Sequence, residues 1–142
     1  GKSIASEFAH RYYDDISLGI DFTARDIQAA AKAQGHPWEK AKAFDGSAVV
    51  SREWMPKNKW AEGWEQVPFE LKKNGRTVQS TTAESMLFHV DELIAHVSKF
   101  MTLKMGDIFF TGTPSGVGPV EDGDVLEGTL DGAQMFRVQV HG

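Results

Sequence analysis

Apolar and polar positions change their spacing several times along the chain, and each change marks an element. Ile16 to Asp21 is a short, largely apolar run that ends in an acid and predicts a strand. Thr23 then opens a Thr-x-x-Asp capping box with Asp26, which predicts a helix over the alanine-rich stretch that follows. Gly35 and Pro37 supply its stop. At 100° per residue Arg25, Gln28, Ala29 and Lys32 share one face of that helix, while Ile27, Ala30 and Ala31 share the other, expected to be buried. Residues 42 to 51 predict a partly buried strand, and WMPKNKWAEGWEQ, with no clean period, a loop. Phe69 to Gln79 predicts a hairpin, because Asn74-Gly75 suits the positive φ values of a type I′ turn. Met86, Val90, Leu93, Ile94, Val97 and Met101 recur at helical spacing and predict the longest helix, from about Ala83 to Met101. After the glycine- and proline-rich GDIFFTGTPSGVGP, the stretches VLEGTL and QMFRVQV flank Asp131-Gly132, a second hairpin signal. Short strands outnumber helices, so the pattern predicts an α+β domain dominated by antiparallel sheet.

Composition narrows the function classes. The 142 residues, 41% hydrophobic and 25% charged, suffice for a single domain with a core. A formal net charge of −5 argues against nucleic-acid binding, which calls for a basic stripe to displace counterions. The absence of cysteine excludes disulfides and thiolate metal sites and suits a cytoplasmic location. No run of eighteen uncharged apolar residues predicts a membrane span.

Three polar clusters are candidates for chemistry, each with a structural alternative. Asp21, Arg25 and Gln28 lie where a strand end leads into a helix, a frequent site of function; alternatively Asp21 pairs with Arg25 and the rest are solvated. Lys42, between Ala41 and Ala43, enters an apolar run that would strip water from its ammonium, unless the side chain snorkels out. TGTPSGVG has the glycine content of a phosphate cradle but lacks the Gly-Lys-Ser/Thr ending of a P-loop; its backbone N–H groups, with Thr111 and Thr113, suit a carboxylate instead. His89 and His96 are seven residues apart, about 10 Å along a helix at 1.5 Å per residue, too far to share an ion.

Taken together, GIDFTARDIQ, GHPWEKAKAFDGSAV, NGRTVQ, LIAHVSKFMTLKMGDIFFTGTPSGVGPV and the Gly123-Asp124 pair resemble the fumarylacetoacetate hydrolase family, in order and over nearly the whole chain. The similarity is strongest to its acylpyruvase and oxaloacetate-decarboxylase-like members. The resemblance implies the family's mixed β-sandwich roll, a homodimer, and Mg²⁺ or Mn²⁺ as cofactor. It also implies cleavage of a C–C bond in a small 2-oxo acid such as an acylpyruvate or oxaloacetate, through an enolate held on the metal. By the same resemblance Asp21 is a metal ligand, Lys42 and Gln28 are catalytic, and Arg25, Gly112 and Thr113 bind substrate. Thr23 and Asp26 are left to cap the helix.

The family's other two metal ligands, a Glu-x-Glu pair upstream of the aspartate, have no counterpart in residues 1 to 20, nor do its water-activating histidine and glutamate. Residues 1 to 142 therefore resemble the C-terminal two-thirds of the catalytic domain, with an incomplete metal site. Two alternatives accompany this reading: a 2-hydroxyhepta-2,4-diene-1,7-dioate isomerase of aromatic catabolism, and a non-catalytic, ligand-binding β domain.

Overall fold

The computed structural model describes residues 1–141, and in it the antiparallel α+β expectation holds. In chain order the elements are α1 (Ser6–Ala9), β1 (Asp15–Ile16), β2 (Gly19–Asp21), α2 (Arg25–Ala33), α3 (Glu39–Lys42), β3 (Ala48–Val50), β4 (Met55–Pro56), β5 (Phe69–Lys73), β6 (Arg76–Thr81), α4 (Val90–Val97), β7 (Val125–Leu130) and β8 (Ala133–Gln139). The main sheet runs β6-β5-β7-β8, and the pairs β1–β4 and β2–β3 form two short ribbons; all of these pairings are antiparallel. Among the described residues no helix is long and apolar enough to cross a membrane.

Both hairpins turn where the sequence places them. Asn74 and Gly75 have φ of 51° and 77°, and Asp131 and Gly132 have 53° and 74°, the two consecutive positive values of a type I′ turn. In β7 the residues Leu126, Gly128 and Leu130 are buried and alternate with half-buried ones. A Cβ on Gly128 would lie 2.4 Å from the ring of its cross-strand partner Phe136, so the missing side chain makes room for the aromatic.

A polar knot pins the two hairpins to each other. The Asn74 amide donates to Asp124 Oδ1 (2.7 Å) and accepts from the backbone N–H of Val125 (2.9 Å). Lys73 Nζ lies 2.7 Å from Asp124 Oδ2, which also accepts from the Glu121 N–H at 2.8 Å. These partners, Lys73 first, hold the Asp124 carboxyl down to about 2.

Two apolar clusters form the core, one on this sheet and one between helices. Val67, Leu130 and Met135 form one, with Trp60, Phe69 and Phe136 against it; Ile4, Ala9 and Ile94 form the other, where α1 packs on α4. Ser98 is fully buried in the second, its hydroxyl accepting from the Ile4 N–H (2.9 Å) and donating to the Ala95 carbonyl (3.1 Å).

Three expected elements differ. The long helix begins at Val90 rather than near Ala83, because the Glu92 carboxylate accepts from the His89 N–H and ends the preceding extended segment there; residues 83–85 form only a 3₁₀ turn, and Met101 lies beyond the helix. The apolar face of α2 is not buried: no residue of that helix is, and Ile27 is 43% exposed, since α3 is the element it packs against. Lys42 ends a helical turn instead of entering a strand, the strand starting only at Ala48.

The segment after Phe109 lies over the edge of the main sheet. β6 carries one extra residue, Val78, since Gln79 faces Leu71 while Thr77 faces Lys72. At that bulge the chain at Gly116 comes so close that a Cβ would sit 1.9 Å from the Val78 carbonyl oxygen. Gly112 also has a positive φ, 108°, but open space around it.

Two outcomes follow from these contacts. Asp124 has a folded-state pKa below its unfolded value of about 3.9, so its stabilisation is complete above that value and lost as pH falls towards 2. Asp124→Asn should lower Tm at pH 7 and flatten the decline of Tm between about pH 4 and pH 2, read by circular dichroism. Gly112→Ala should cost about 1–3 kcal/mol for its φ alone, and Gly116→Ala distinctly more because backbone must also move; urea titration of the two variants compares them directly.

Candidate functional site

β2 presents residues alternately, so Gly19 and Asp21 share one face and Ile20 the other. The Phe110 ring rests against Gly19, where a Cβ would meet it at 3.0 Å. The loop that begins at Thr111 therefore starts on the face of β2 that carries Asp21, about 7 Å away along the strand for two residues of rise.

Asp21 is met by Lys42 rather than by Arg25. The connection folds that way because the Ala24 N–H donates to the Ala41 carbonyl (3.1 Å) and the Phe22 N–H to the Ser47 carbonyl (2.8 Å), which dock the end of α3 on the turn after β2. Ala41 is fully buried there, and Lys42 beside it projects to Asp21 Oδ2 at 2.5 Å and Thr23 Oγ1 at 2.7 Å. Thr23 is thus occupied by the lysine and does not cap α2: the N-cap is Ala24, with no side-chain capping hydrogen bond. The ion pair is partly open to water, 33% exposed at Lys42 and 47% at Asp21, so the lysine is not stripped of water by an apolar strand as its sequence neighbours imply. Two of its three N–H groups are engaged, which leaves one to point at a ligand.

Arg25, the first residue of α2, donates from Nη1 to Gln28 Oε1 at 3.0 Å, one helical turn on. An arginine can only donate, so the Gln28 carbonyl faces it and the Gln28 NH₂ faces away as a donor.

Gly112 and Thr113 line a different feature, an open cleft of about 860 Å³ between the main sheet and the segment 104–114. Gly19, Gln79, Phe110 and Phe136 also line it. Thr113 is held by Gln79, whose Nε2 donates to Thr113 Oγ1 at 2.9 Å and to the Pro114 carbonyl at 3.0 Å. Asp21, Lys42, Arg25 and Gln28 are not among the cleft's lining residues, and among the described residues no hydrogen bond joins them to Gly112 or Thr113. The structure thus unites Asp21 with Lys42 and Arg25 with Gln28, and sets Gly112 and Thr113 on the adjoining loop.

Sequence reasoning missed Gln79, although NGRTVQ contains it; its partners lie 34 and 35 residues away, and the bulge that turns it has no sequence mark. Thr23 was misread because Thr-x-x-Asp at a helix start and a hydroxyl facing a lysine look alike in one dimension.

Asp21 offers one hard-oxygen ligand for a cation, and its Oδ2 is already engaged by Lys42. Among the described residues no three His, Cys, Asp or Glu side chains gather closely enough to hold an ion. By themselves they do not make a Mg²⁺ or Mn²⁺ centre, which needs octahedral oxygen coordination.

The chain matches, over residues 2–141, the family profile described as fumarylacetoacetate (FAA) hydrolase C-terminal. An oxaloacetate tautomerase of Escherichia coli (strain K12) is 44% identical over 134 residues, which are 94% of this chain and 61% of the relative. Fumarylpyruvate hydrolase from Pseudomonas aeruginosa, solved in complex with Mn²⁺ and pyruvate, superposes with a TM-score of 0.89 at 34% identity, covering 99% of this chain and 60% of that one. A 2-hydroxyhepta-2,4-diene-1,7-dioate isomerase from Mycobacterium marinum superposes with a TM-score of 0.84 at 29% identity, over 99% and 52% respectively. The chain spans about 61% of the length of its curated relative. With nearly its whole length inside the profile and the α+β fold of these enzymes, the chain belongs to the fumarylacetoacetate hydrolase family, matching its C-terminal part.

Proposed function

We propose that the intact protein interconverts the keto and enol forms of an oxaloacetate-like 2-oxo acid. The observation that carries this reading is the Lys42 ammonium, clamped by Asp21 and Thr23 with one N–H unspent. In a tautomerisation the C3 proton passes to a water molecule, the C3–H electron pair becomes the C2=C3 bond, the C2=O π pair moves onto the 2-oxo oxygen, and that oxygen then takes a proton from water to give the enol. Lys42 donates to that oxygen, with the Gln28 NH₂ as a second donor, where preorganised dipoles act most strongly on developing charge. Arg25 orients one substrate carboxylate, and the Gly112–Thr113 segment receives the other. The oxaloacetate tautomerase relative supports the substrate class.

Cleavage of a C–C bond next to the same carbonyl, by hydrolysis or decarboxylation, is the second reading. The fumarylpyruvate hydrolase likeness favours it, and the enolate to be stabilised is of the same kind. Isomerisation of a 2-hydroxydienoate is a third use of these residues, supported by the isomerase likeness. Loss of enol absorbance from oxaloacetate, pyruvate release from oxaloacetate and cleavage of fumarylpyruvate, assayed side by side, separate them; no turnover of any of the three would sink the proposal.

We assign Mg²⁺ or Mn²⁺ as cofactor on the strength of the Mn²⁺-bound relative, with Asp21 as one ligand and the others outside the described residues. Calorimetric titration of residues 1–142 with Mn²⁺ should show weak binding, and tight binding would point to ligands within this chain. We further propose a homodimer, supported by the exposed Phe88, Phe100, Met101 and Met105 side chains. Light scattering of the intact protein should give twice the chain mass.

Lys42→Met should lower kcat at least about a hundredfold, the usual effect of removing an oxyanion donor. Tm should move little, because a partly exposed ion pair contributes only about 0.2–1 kcal/mol. Wild-type turnover with a depressed Tm would return Lys42 to a structural role.

A further inference from the structure

Among the described residues Gln79 is the cleft side chain that hydrogen-bonds the loop carrying Thr113 from the opposite element. Its amide orientation is determined by chemistry, not by choice of atom names. The Pro114 carbonyl can only accept, so the group 3.0 Å from it must be the NH₂, and the same nitrogen sits 2.9 Å from Thr113 Oγ1. Thr113 Oγ1 therefore accepts from Gln79, and its single proton is turned away from the sheet.

The backbone reinforces this arrangement. Gly116 touches the Val78 carbonyl at the β6 bulge, so the loop is anchored through Gln79 and again three residues after Thr113. The bulge also lets Gln79 keep its pairing with Leu71 while Val78 is left over.

We infer that Gln79 is a positioning residue for substrate binding: by donating to Thr113 it obliges that hydroxyl to donate in turn, and so to receive the carboxylate of a 2-oxo acid. The inference rests on the reading of Thr113 as a carboxylate-binding group. Were the amide reversed, or replaced by a carboxylate, the Thr113 proton would be drawn to residue 79 and the substrate would meet oxygen lone pairs.

The test is a double-mutant cycle on the intact protein with oxaloacetate as substrate, measuring KM, kcat and Tm for Gln79→Met, Thr113→Val and the double variant. A lost hydrogen bond to a charged group corresponds to about tenfold or more in affinity. Thr113→Val should raise KM about tenfold, Gln79→Met should raise it severalfold with kcat largely kept, and the double variant should be no worse than Thr113→Val. Gln79→Glu should raise KM beyond Gln79→Met, since it accepts the Thr113 proton and adds a negative charge. If Thr113→Val leaves KM unchanged, Thr113 is not the carboxylate group and the inference falls with that reading. If Thr113→Val raises KM while Gln79→Met and Gln79→Glu do not, or if the two effects multiply in the double variant, Thr113 stands and the role of Gln79 is overturned.

Discussion

The antiparallel register of β5 against both β6 and β7 is the constraint on which the rest of this structure depends. A slip of one residue would send every alternate side chain of β7 to the wrong face and expose Leu126 and Leu130. Turn chemistry sets the β5–β6 register at Asn74-Gly75 and the β7–β8 register at Asp131-Gly132. The Asp124 carboxylate, next to the start of β7, then ties the two hairpins together by accepting from Lys73 and Asn74 of the β5–β6 hairpin and from the Glu121 backbone. Lys73 also donates to the Pro119 carbonyl at 2.9 Å, so the same knot holds the far end of the glycine-rich segment. That segment is consequently held at the knot and passes close to the β6 bulge, with Gly112 and Thr113 upstream of both.

The other half of the site is built on different principles. β2 and β3 form a ribbon of only three paired positions, and α2 and α3 bring almost no buried surface with them. What orders Asp21 and Lys42 is the pair of backbone hydrogen bonds from Phe22 and Ala24 across the turn, together with the charge contact itself. A partly exposed ion pair adds little to stability, so its presence here is better explained by what it holds in place than by what it stabilises. The exposed face of α2 belongs to the same picture: its alternation of Ile27, Ala30 and Ala31 is a pattern written for burial, without a covering element among the described residues.

Particular residues show what could be read in advance. The two type I′ turns, the stop of α2 at Gly35 and the sheet-dominated class all follow from local chemistry, where neighbouring residues carry the whole signal. Asp21, Arg25, Gln28 and Lys42 were reachable as candidates, the first three from a strand end and a helix face and all four from the family's order of motifs. Their pairing was not, because arginine at i+4 competes with lysine 21 residues away and only the docking of α3 decides between them. The start of α4 failed for a related reason: Met86 fits the apolar arc, but a period cannot report that the Glu92 side chain closes the helix at His89. Gln79 and Asp124 lie within NGRTVQ and the Gly123-Asp124 pair, yet their hydrogen bonds to residues 34 and 50 positions away leave no local mark.

On the proposed reading, outward-facing donors are what would let a chain of net charge −5 receive a dianionic acid. Gln28 accepts from Arg25, Thr23 and Asp21 accept from Lys42, and Thr113 accepts from Gln79, whose amide nitrogen donates in both of its contacts. The donors left over are one lysine N–H, a glutamine NH₂, the rest of the arginine fork and a threonine proton, beside the second carboxylate oxygen of Asp21. On that reading local hydrogen-bond polarity, not net charge, would set the sign that a ligand meets. Such an arrangement is already oriented before substrate arrives, so little reorganisation is needed when charge develops on a bound oxygen. It would also make the inner donors, Arg25 and Gln79, matter for recognition through the groups they orient.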